Sequence, residues 1–281
     1  MTTPAPVTPG SDQAAYWNEE GGRRWVDNIE RVERMLQPLA DRLITLAAPK
    51  KGETVLDVGC GGGLTSAAAA GAVGPTGRVT GCDVSAVILD VARARFKPTG
   101  NLSFALGDAA AMPLSGYDLV VSRFGVMFFP DPVAAFRNLR SALKPGGRLA
   151  FICWRSLDEN PWMADCVRAA FTVLPRPEPT PPGAPGPFAF ADAQRLRGIL
   201  ADAGFGAIEI VSHDETLELG TMDDALEQMT RMGPPAAGFA AASAADRDAV
   251  LAALRATLEP RLVDGRVHMP SGTWLVTARP A

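Results

Sequence analysis

The stretch that decides the fold is Val55-Leu56-Asp57-Val58-Gly59-Cys60-Gly61-Gly62-Gly63. A short β-rich run passes directly into glycines at 59, 61 and 63, and an alanine-rich helix is predicted to follow. Glycine has no Cβ and tolerates positive φ, so the backbone of such a turn can approach a ligand closely. The free N–H groups of the turn and of the helix N-terminus favour polar or anionic groups of that ligand. The stretch therefore predicts a ligand-binding turn between a buried strand and a helix.

The spacing of these glycines argues against two common nucleotide sites. A dinucleotide-binding turn requires glycines at i, i+2 and i+5, but this last position is Leu64 when counted from Gly59 and Ser66 when counted from Gly61. No Gly-Lys-Ser/Thr sequence follows the turn, so the P-loop pattern fails as well. The sequence thus counts against NAD, FAD and P-loop nucleotides as the ligand.

Acidic residues follow the next two predicted strands, 78–82 and 102–105. Asp83 lies 24 residues after Gly59, where an acid is placed to accept hydrogen bonds from both hydroxyls of a ribose. Asp108 is placed to accept a hydrogen bond from an adenine amino group. Two carboxylates suit an adenosine without a phosphate tail, because they would repel a phosphate. The alternative is that Asp83 caps a helix and Asp108 starts a turn.

The strand–turn–helix pattern repeats through the first half of the chain. Further strands are predicted at 118–121 and 148–154, and helices at 64–72, 85–96 and 132–143. Uniformly apolar strands that alternate with helices indicate a parallel sheet covered on both faces. Residues 12–48 are predicted to be helical, with Pro38 starting a new helix after a bend. Residues 144–147 are predicted to form a turn.

The second half of the chain has a different pattern. Strands are predicted at 208–219 and 272–278, and helices at 191–203 and 222–262, the latter interrupted at 233–235 and at Gly238. The proline-rich stretch 174–190 is either a linker or part of a lid. We expect one domain over residues 12–281, with a core at 50–155, a later part at 156–281, and a disordered tail at 1–11.

The composition excludes several classes of protein. With 281 residues and a formal charge of −4, the chain lacks the basic character of a sequence-independent nucleic-acid binder. No apolar run approaches the roughly 18 residues of a membrane span, and the first ten residues do not form a signal peptide, so we expect a cytoplasmic protein. Four widely spaced cysteines and two histidines match neither a disulfide framework nor a metal site. We expect Cys60, Cys82 and Cys153 to be small buried apolar residues, and His213 and His268 to be structural.

The motifs in combination resemble the class I S-adenosylmethionine (SAM)-dependent methyltransferases, in particular the ubiquinone-biosynthesis-like small-molecule enzymes (methyltransferase type 11). The resemblance covers residues 16–154 well and continues more loosely to 273–279. It rests on VLDVGCGGG at 55–63, GCDVS at 81–85, LGDA at 106–109, YDLVVSRFGVMFF at 117–129 and LKPGGRLAF at 143–151. It implies SAM as cofactor and a Rossmann-like, doubly wound α/β fold. That fold has a mostly parallel seven-stranded sheet with an antiparallel last strand, an N-terminal helical cap and late helical insertions.

The resemblance also implies roles for individual residues. It places the methionine part of SAM beside Asp57, Gly59, Gly61 and Gly63. It assigns the ribose to Asp83, the adenine face to Val84, and the adenine amino group to Asp108 and Ala109. It puts Ser122 and Arg123 beside the methionine part and the transferred methyl group. It makes an aromatic cap over the cofactor from Tyr16, Trp17 and Trp25.

The acceptor is predicted to be a small molecule methylated at O, N, C or S. The candidates for its pocket are Arg123, Phe124, Met127 and Trp154, with further apolar walls expected from Phe128, Phe129 and Trp162. Arg123 is placed either to orient an anionic acceptor or to pair with a nearby carboxylate. Ser122-Arg123-Phe124-Gly125 lacks the Asp/Asn-Pro-Pro-aromatic signature of DNA adenine and protein glutamine methyltransferases.

No convincing general base can be identified from the sequence, and methyl transfer needs one only where the nucleophile must lose a proton. The loop at 113–116 is shorter than is usual in the family, which puts substrate contacts there in doubt.

The alternative function is a SAM-binding protein of the same fold that does not catalyse methyl transfer. A homodimer is left open.

Overall fold

A computed structural model describes residues 13–97, 100–178, 181 and 183–281. A mixed sheet lies at its centre, with the strand order β3-β2-β1-β4-β5-β8-β6 and a short strand, β7, that pairs only with β8. The strands are β1 (Thr54–Val58), β2 (Arg78–Asp83), β3 (Leu102–Leu106), β4 (Tyr117–Arg123), β5 (Leu143–Trp154), β6 (Phe205–Glu218), β7 (Leu262–Val263) and β8 (Arg266–Pro280).

The first five strands are parallel, and β8 is antiparallel to both of its long neighbours, β5 and β6. The predicted fold is therefore confirmed: a doubly wound sheet of seven main strands whose last strand is antiparallel. The two-residue strand β7 was not expected. Strand order reverses between β1 and β4, and ligands of such sheets bind beyond the carboxyl ends of the strands at this point.

Helices cover both faces of the sheet. They are α1 (Gln13–Asn18), α2 (Glu20–Asp27), α3 (Ile29–Ala47), α4 (Leu64–Val73), α5 (Ala86–Arg95), α6 (Pro132–Ala142), α7 (Pro161–Ala170), α8 (Ala193–Asp202), α9 (Met222–Arg231), α10 (Ala236–Ala241) and α11 (Ala244–Leu258). Val120 belongs to one buried apolar cluster, whereas its neighbours Leu119 and Val121 belong to another. Because successive side chains of a strand point to opposite faces, β4 is buried on both sides.

The prediction that Pro38 starts a new helix was wrong. Pro38 lies inside α3, which runs from Ile29 to Ala47, and the helical segment is broken earlier, at Glu19 and Asn28. A proline inside a helix removes a hydrogen bond and costs about 3 kcal/mol. Pro38 is exposed, so water can reach the backbone around it. The buried stripe formed by Leu36, Leu39 and Leu43 continues across it and offsets the cost.

Two predicted interruptions were also wrong. Residues 144–147 form a bulge within β5: Tyr117 pairs with Leu143 and Leu119 with Arg148, and Gly146 absorbs the extra length at φ +80°. Gly238 lies inside α10, where nothing crowds it and where a glycine costs only about 1 kcal/mol.

The predicted disordered tail, residues 1–11, lies outside the described residues. Within the described part of the proline-rich stretch there is neither a helix nor a strand. No helix in the described ranges has both the length and the apolar character that crossing a membrane requires.

Candidate functional site

A cavity of about 570 Å³ lies at the carboxyl ends of β1, β2 and β4, where the strand order reverses. Helices α1 and α2 contribute to one side of it, and α7 and α9 to another. The structure brings most of the predicted site residues into its wall: Tyr16, Trp17, Trp25, Gly59, Gly61, Asp83, Val84, Asp108, Ala109, Arg123, Phe124, Met127 and Trp154. Phe128, Phe129 and Trp162 line it as well. Asp57, Gly63 and Ser122 lie behind this wall.

The glycine turn has the backbone conformation that its sequence predicts. Gly59, Gly61 and Gly63 adopt φ values of +65°, +54° and +85°, which favour glycine. The backbone N–H of Gly59 donates to the carbonyl of Cys82 at 2.8 Å, and so ties the turn to the end of β2. Gly63 precedes α4, and a Cβ there would lie 2.8 Å from the ring of Phe104. Gly59 and Gly61 thus expose backbone to the cavity, whereas Gly63 permits packing beneath it.

Asp83 connects β2 to the glycine turn. Its Oδ2 accepts a hydrogen bond from the N–H of Gly61 at 2.9 Å, and its Oδ1 accepts one from the N–H of Ser85 at 3.0 Å. Burial raises the pKa of Asp83, against the effect of these backbone hydrogen bonds. Ser85 is the N-cap of α5, because its Oγ accepts from the N–H of Ile88. A carboxylate oxygen offers two lone pairs, so Asp83 can also accept a hydrogen bond from a ligand.

Asp108 lies in a turn beside the cavity. Its Oδ1 accepts a hydrogen bond from the N–H of Ala110 at 2.8 Å, as the turn alternative predicts. Asp108 is also exposed and lines the cavity together with the buried Ala109. The carbonyl of Ala109 accepts from Nδ2 of Asn138 at 2.9 Å, which anchors this loop to α6.

Several buried polar atoms beside the glycine turn have no hydrogen-bond partner in the described part of the chain. They are Trp25 Nε1, Glu33 Oε1, Asp57 Oδ1, and Arg123 Nε and Nη1. Glu33 was not predicted from the sequence. It lies in the buried stripe of α3, where helical spacing does not distinguish a site residue from the core.

The charges of these side chains influence one another. Asp57 is 1% exposed, and its Oδ2 accepts from Oγ of Ser66 at 2.6 Å. Burial raises its pKa to about 7, although Ser66 and the charge of Arg123 act in the opposite direction. Burial lowers the pKa of Arg123, and the charges of Glu33 and Asp57 oppose that shift. Because the described residues include no ion pair to Arg123, its guanidinium is available to a ligand.

Ser122 does not line the cavity, so its predicted contact with the cofactor stays a prediction. Its side chain is fully buried, and its Oγ donates to the carbonyl of Val58 at 2.7 Å. The same oxygen accepts from the N–H groups of Gly125 and Val126 at 3.1 and 3.2 Å. These bonds use the one donor and both lone pairs of the hydroxyl. Ser122 therefore joins β4 to β1 and shapes the following turn.

The N-terminal aromatic residues form a connected group against α5. Trp17 packs edge-to-face with Tyr16, Trp25 and Phe128, at ring-centroid distances of 5.2, 6.1 and 5.2 Å. The carbonyl of Trp17 accepts from Oγ of Ser85 at 2.6 Å. This group is therefore held over the end of β2, where Asp83 lies.

Aromatic and methionine side chains form an apolar wall of the cavity. Phe124 and Trp154 stack at 4.1 Å with an interplanar angle of 12°, and Trp162 packs on Trp154 at 5.2 Å. Five methionines line the cavity: Met35, Met127, Met163, Met229 and Met232. Of these, only Met127 was predicted, because the others lie on helices α3, α7 and α9 or just after α9, at spacings typical of the core. Methionine side chains are flexible and adapt to ligands of irregular shape.

The two histidines and the four cysteines are not placed as reactive groups of the cavity. Neither His213 nor His268 is among the residues that line the cavity. The four cysteines are buried and free, and burial raises the pKa of Cys82 and Cys166 to about 12. Within the described residues, no group of three metal-ligating side chains forms a site.

Comparisons with known proteins agree with this geometry. A family model described as a methyltransferase domain matches residues 55–147. The aklanonic acid methyltransferase DauC of Streptomyces sp. (strain C5) is 37% identical over 118 residues, which is 41% of this chain and 54% of that protein. The nocamycin O-methyltransferase of Saccharothrix syringae is 37% identical over 117 residues, 40% of this chain and 42% of that protein. The matched part thus spans about half or less of each relative.

Solved structures show the same fold at low sequence identity. The YcgJ protein of Bacillus subtilis has a TM-score of 0.56 and 16% identity, and the match covers 86% of this chain and 98% of that one. The phosphoethanolamine N-methyltransferase 2 of Haemonchus contortus, solved with S-adenosyl-L-methionine, has a TM-score of 0.57 and 16% identity, covering 95% and 60%. Together with the family match and the motifs of the glycine turn, these findings show that the matched domain belongs to the class I SAM-dependent methyltransferases.

Proposed function

We propose that this protein is a SAM-dependent methyltransferase that acts on a small, largely apolar acceptor. The observation that carries the proposal is the set of unpaired buried atoms beside the glycine turn. Trp25 Nε1 and the Arg123 guanidinium are donors in the cavity wall, whereas the acceptors Glu33 Oε1 and Asp57 Oδ1 lie behind it, where Glu33 Oε2 already pairs with Arg95. Unpaired buried polar groups are costly, and the carboxylate of an amino-acid group would accept hydrogen bonds from the donors in the wall. The methionine end of SAM is such a group.

The rest of the cofactor fits the neighbouring strand ends. Asp83 would accept hydrogen bonds from the ribose hydroxyls while it still holds Gly61 and Ser85, and Val84 would pack on the adenine. Asp108 and Ala109 would contact the adenine amino group. The carboxylates of Asp83 and Asp108 are compatible with a sulfonium and would repel a phosphate. Tyr16, Trp17 and Trp25 would cover the cofactor from the N-terminal side.

The acceptor would lie against the wall formed by Phe124, Trp154, Trp162 and the methionines. Stacked aromatic rings and flexible thioethers favour a flat, apolar molecule. The relatives named above are methyltransferases of aklanonic acid and nocamycin, which supports a small-molecule acceptor. We also propose that residues 12–281 act as one domain, because the later part of the chain completes the cavity that the first part begins.

SAM, when bound, would supply the electrophilic methyl group of its positive sulfonium, and the sulfur would keep the electron pair of the broken sulfur–methyl bond. The task of this chain is therefore to position the acceptor. Well-oriented reactants can gain about 7–11 kcal/mol over the same reaction in solution. The apolar wall also excludes water from the nucleophile. Because no histidine lines the described cavity, a nucleophile that ionises readily is the best match.

Binding and turnover should be tested separately. Calorimetry with SAM and with S-adenosylhomocysteine (SAH) should show binding in the micromolar range. Radiolabelled SAM should then transfer its methyl group to a member of a panel of quinols, phenols, thiols and amines. Absence of SAM and SAH binding by the native protein would refute the proposal. Binding without transfer to any member would favour the alternative of a non-catalytic SAM-binding protein.

A further inference from the structure

A single buried amide interrupts the apolar wall of the acceptor side. Gln228 lies on α9, is 3% exposed, and lines the cavity beside Met229 and Met232. Among the described lining residues from Trp154 onward, it is the only one with an amide or charged side chain. All the others are aliphatic, aromatic, sulfur-containing, proline or glycine residues. A polar group at such a position requires a physical reason.

The hydrogen bonds of Gln228 are incomplete. Its Nε2 donates to the thioether of Met35 at 3.0 Å, and a thioether is a weak acceptor. Its Oε1 is buried and has no partner among the described residues. Thr230 on the same helix provides the contrast, since its buried hydroxyl donates to the carbonyl of Leu226 at 2.8 Å. The hydroxyl of Thr230 thus bonds to a backbone carbonyl, whereas the amide of Gln228 has only a thioether as its partner among the described residues.

We infer that Gln228 is a specificity-determining residue, and that its side-chain oxygen accepts a hydrogen bond from a hydroxyl or N–H group of the acceptor. This inference rests on the proposed function. An unpaired buried acceptor atom is costly, and a ligand donor removes that cost. An analogue in which the donor is replaced by a methyl ether would bury Oε1 without giving it a hydrogen-bond donor. The site therefore favours a flat apolar molecule that carries a hydroxyl or N–H donor over its methylated analogue.

The position of α9 supports this role. Arg31 on α3 donates from Nη2 to Glu227 at 2.6 Å and lies 3.4 Å from Asp224, so the helix is tied down next to Gln228. The contact between Gln228 and Met35 joins the same two helices from inside. The amide is therefore held in place rather than swinging freely, as selective recognition requires.

The test compares binding of matched compounds to the protein saturated with SAH. Tryptophan fluorescence or calorimetry should be used with naphthol and methoxynaphthalene, naphthalenediol and dimethoxynaphthalene, and catechol and veratrole. We expect at least one hydroxylated compound to bind about tenfold more tightly than its methyl ether. Gln228→Leu should abolish this preference. Gln194→Leu, on the exposed surface of α8, should retain it.

Three outcomes are decisive. The inference fails if no hydroxylated compound is preferred, including the case in which none binds, or if Gln228→Leu keeps the preference of the native protein. SAH affinity serves as the check on folding and should stay within about twofold in Gln228→Leu, because Gln228 lies on the acceptor side. Absence of SAH binding by the native protein would instead refute the proposed function itself. Should Gln228→Leu fail to fold, Gln228→Met, which keeps the chain length, takes its place.

Discussion

Gly59 and Gly125 face each other so closely that neither has room for a side chain. A Cβ on Gly59 would lie 2.6 Å from Cα of Gly125, and a Cβ on Gly125 would lie 2.8 Å from Cα of Gly59. This contact packs the glycine turn after β1 against the turn after β4. The two turns therefore fix each other, and they hold Arg123 and Asp57 near the same part of the cavity.

We expect Gly59→Ala to lower the free energy of unfolding by about 2 kcal/mol or more, because alanine at φ +65° is strained and its Cβ meets backbone. Gly125→Ala should have a similar effect through the clash alone. Gly71→Ala is the matched control: it is exposed on α4 with open space around it, and should stabilise the protein by roughly 0.5–1 kcal/mol. Denaturant unfolding measures all three. Equal effects of the three substitutions would contradict the packing described here.

The carboxylate of Asp83 is expected to carry much of the affinity for the adenosine part. Asp83→Ala should weaken SAH binding by at least about tenfold, because it removes a charged acceptor from the ribose and releases the N–H of Gly61. Asp83→Asn, which keeps one acceptor oxygen, should be intermediate. Asp90→Ala on the exposed face of α5 should leave SAH affinity unchanged. Calorimetry checks the three variants, and native affinity in Asp83→Ala would remove Asp83 from the site.

The sequence predicts the strand ends well and the helix contributions poorly. Gly59, Gly61, Asp83 and Asp108 follow short apolar strands, so their common edge can be deduced from the order of elements alone. Gln228, by contrast, belongs to a buried helical stripe with the same spacing as ordinary core residues. It is recognisable only once the unpaired oxygen is located in space.

Ser122 shows a second limit of prediction from sequence. Its place at the end of β4 is correct, but the direction of its side chain depends on the turn that follows. In that turn Phe124 takes φ +66°, and the N–H groups of Gly125 and Val126 fold back onto the hydroxyl. This non-local geometry turns Ser122 away from the cavity.

Arg31 is expected to affect acceptor binding more than protein stability. Its ion pairs with Glu227 and Asp224 are partly exposed, so Arg31→Gln should cost about 1 kcal/mol or less. Because these pairs hold α9, the variant should bind naphthalenediol a few-fold more weakly while SAH affinity is retained. Arg231→Gln is the control, since Arg231 also pairs with Glu227 but from the exposed side of α9. A parallel loss of SAH and naphthalenediol binding would contradict a role confined to α9.

The buried carboxyl of Asp57 should make stability depend on pH. Burial raises its pKa from 3.8 to about 7, so the folded protein binds more protons than the unfolded chain between these values. The free energy of unfolding therefore falls as pH rises through this range, by at most about 4 kcal/mol. Asp57→Asn, which does not titrate, should lack this decline. Its stability relative to the native protein should rise from about pH 5 to about pH 8 in the absence of SAM.

Asp118 provides a control of opposite sign. Partial burial alone would raise the pKa of Asp118, but hydrogen bonds from Lys144 Nζ at 2.7 Å and from the N–H of Thr54 at 2.8 Å lower it. Its contribution to stability is therefore present above its ordinary pKa and is lost as pH falls. Asp118→Asn should be destabilised at neutral pH, and the difference from the native protein should shrink in acid. Denaturant unfolding of both variants from about pH 8 down to below pH 3.8 distinguishes the two carboxyls. Parallel curves for Asp57→Asn and the native protein would mean that Asp57 is ionised at an ordinary pKa.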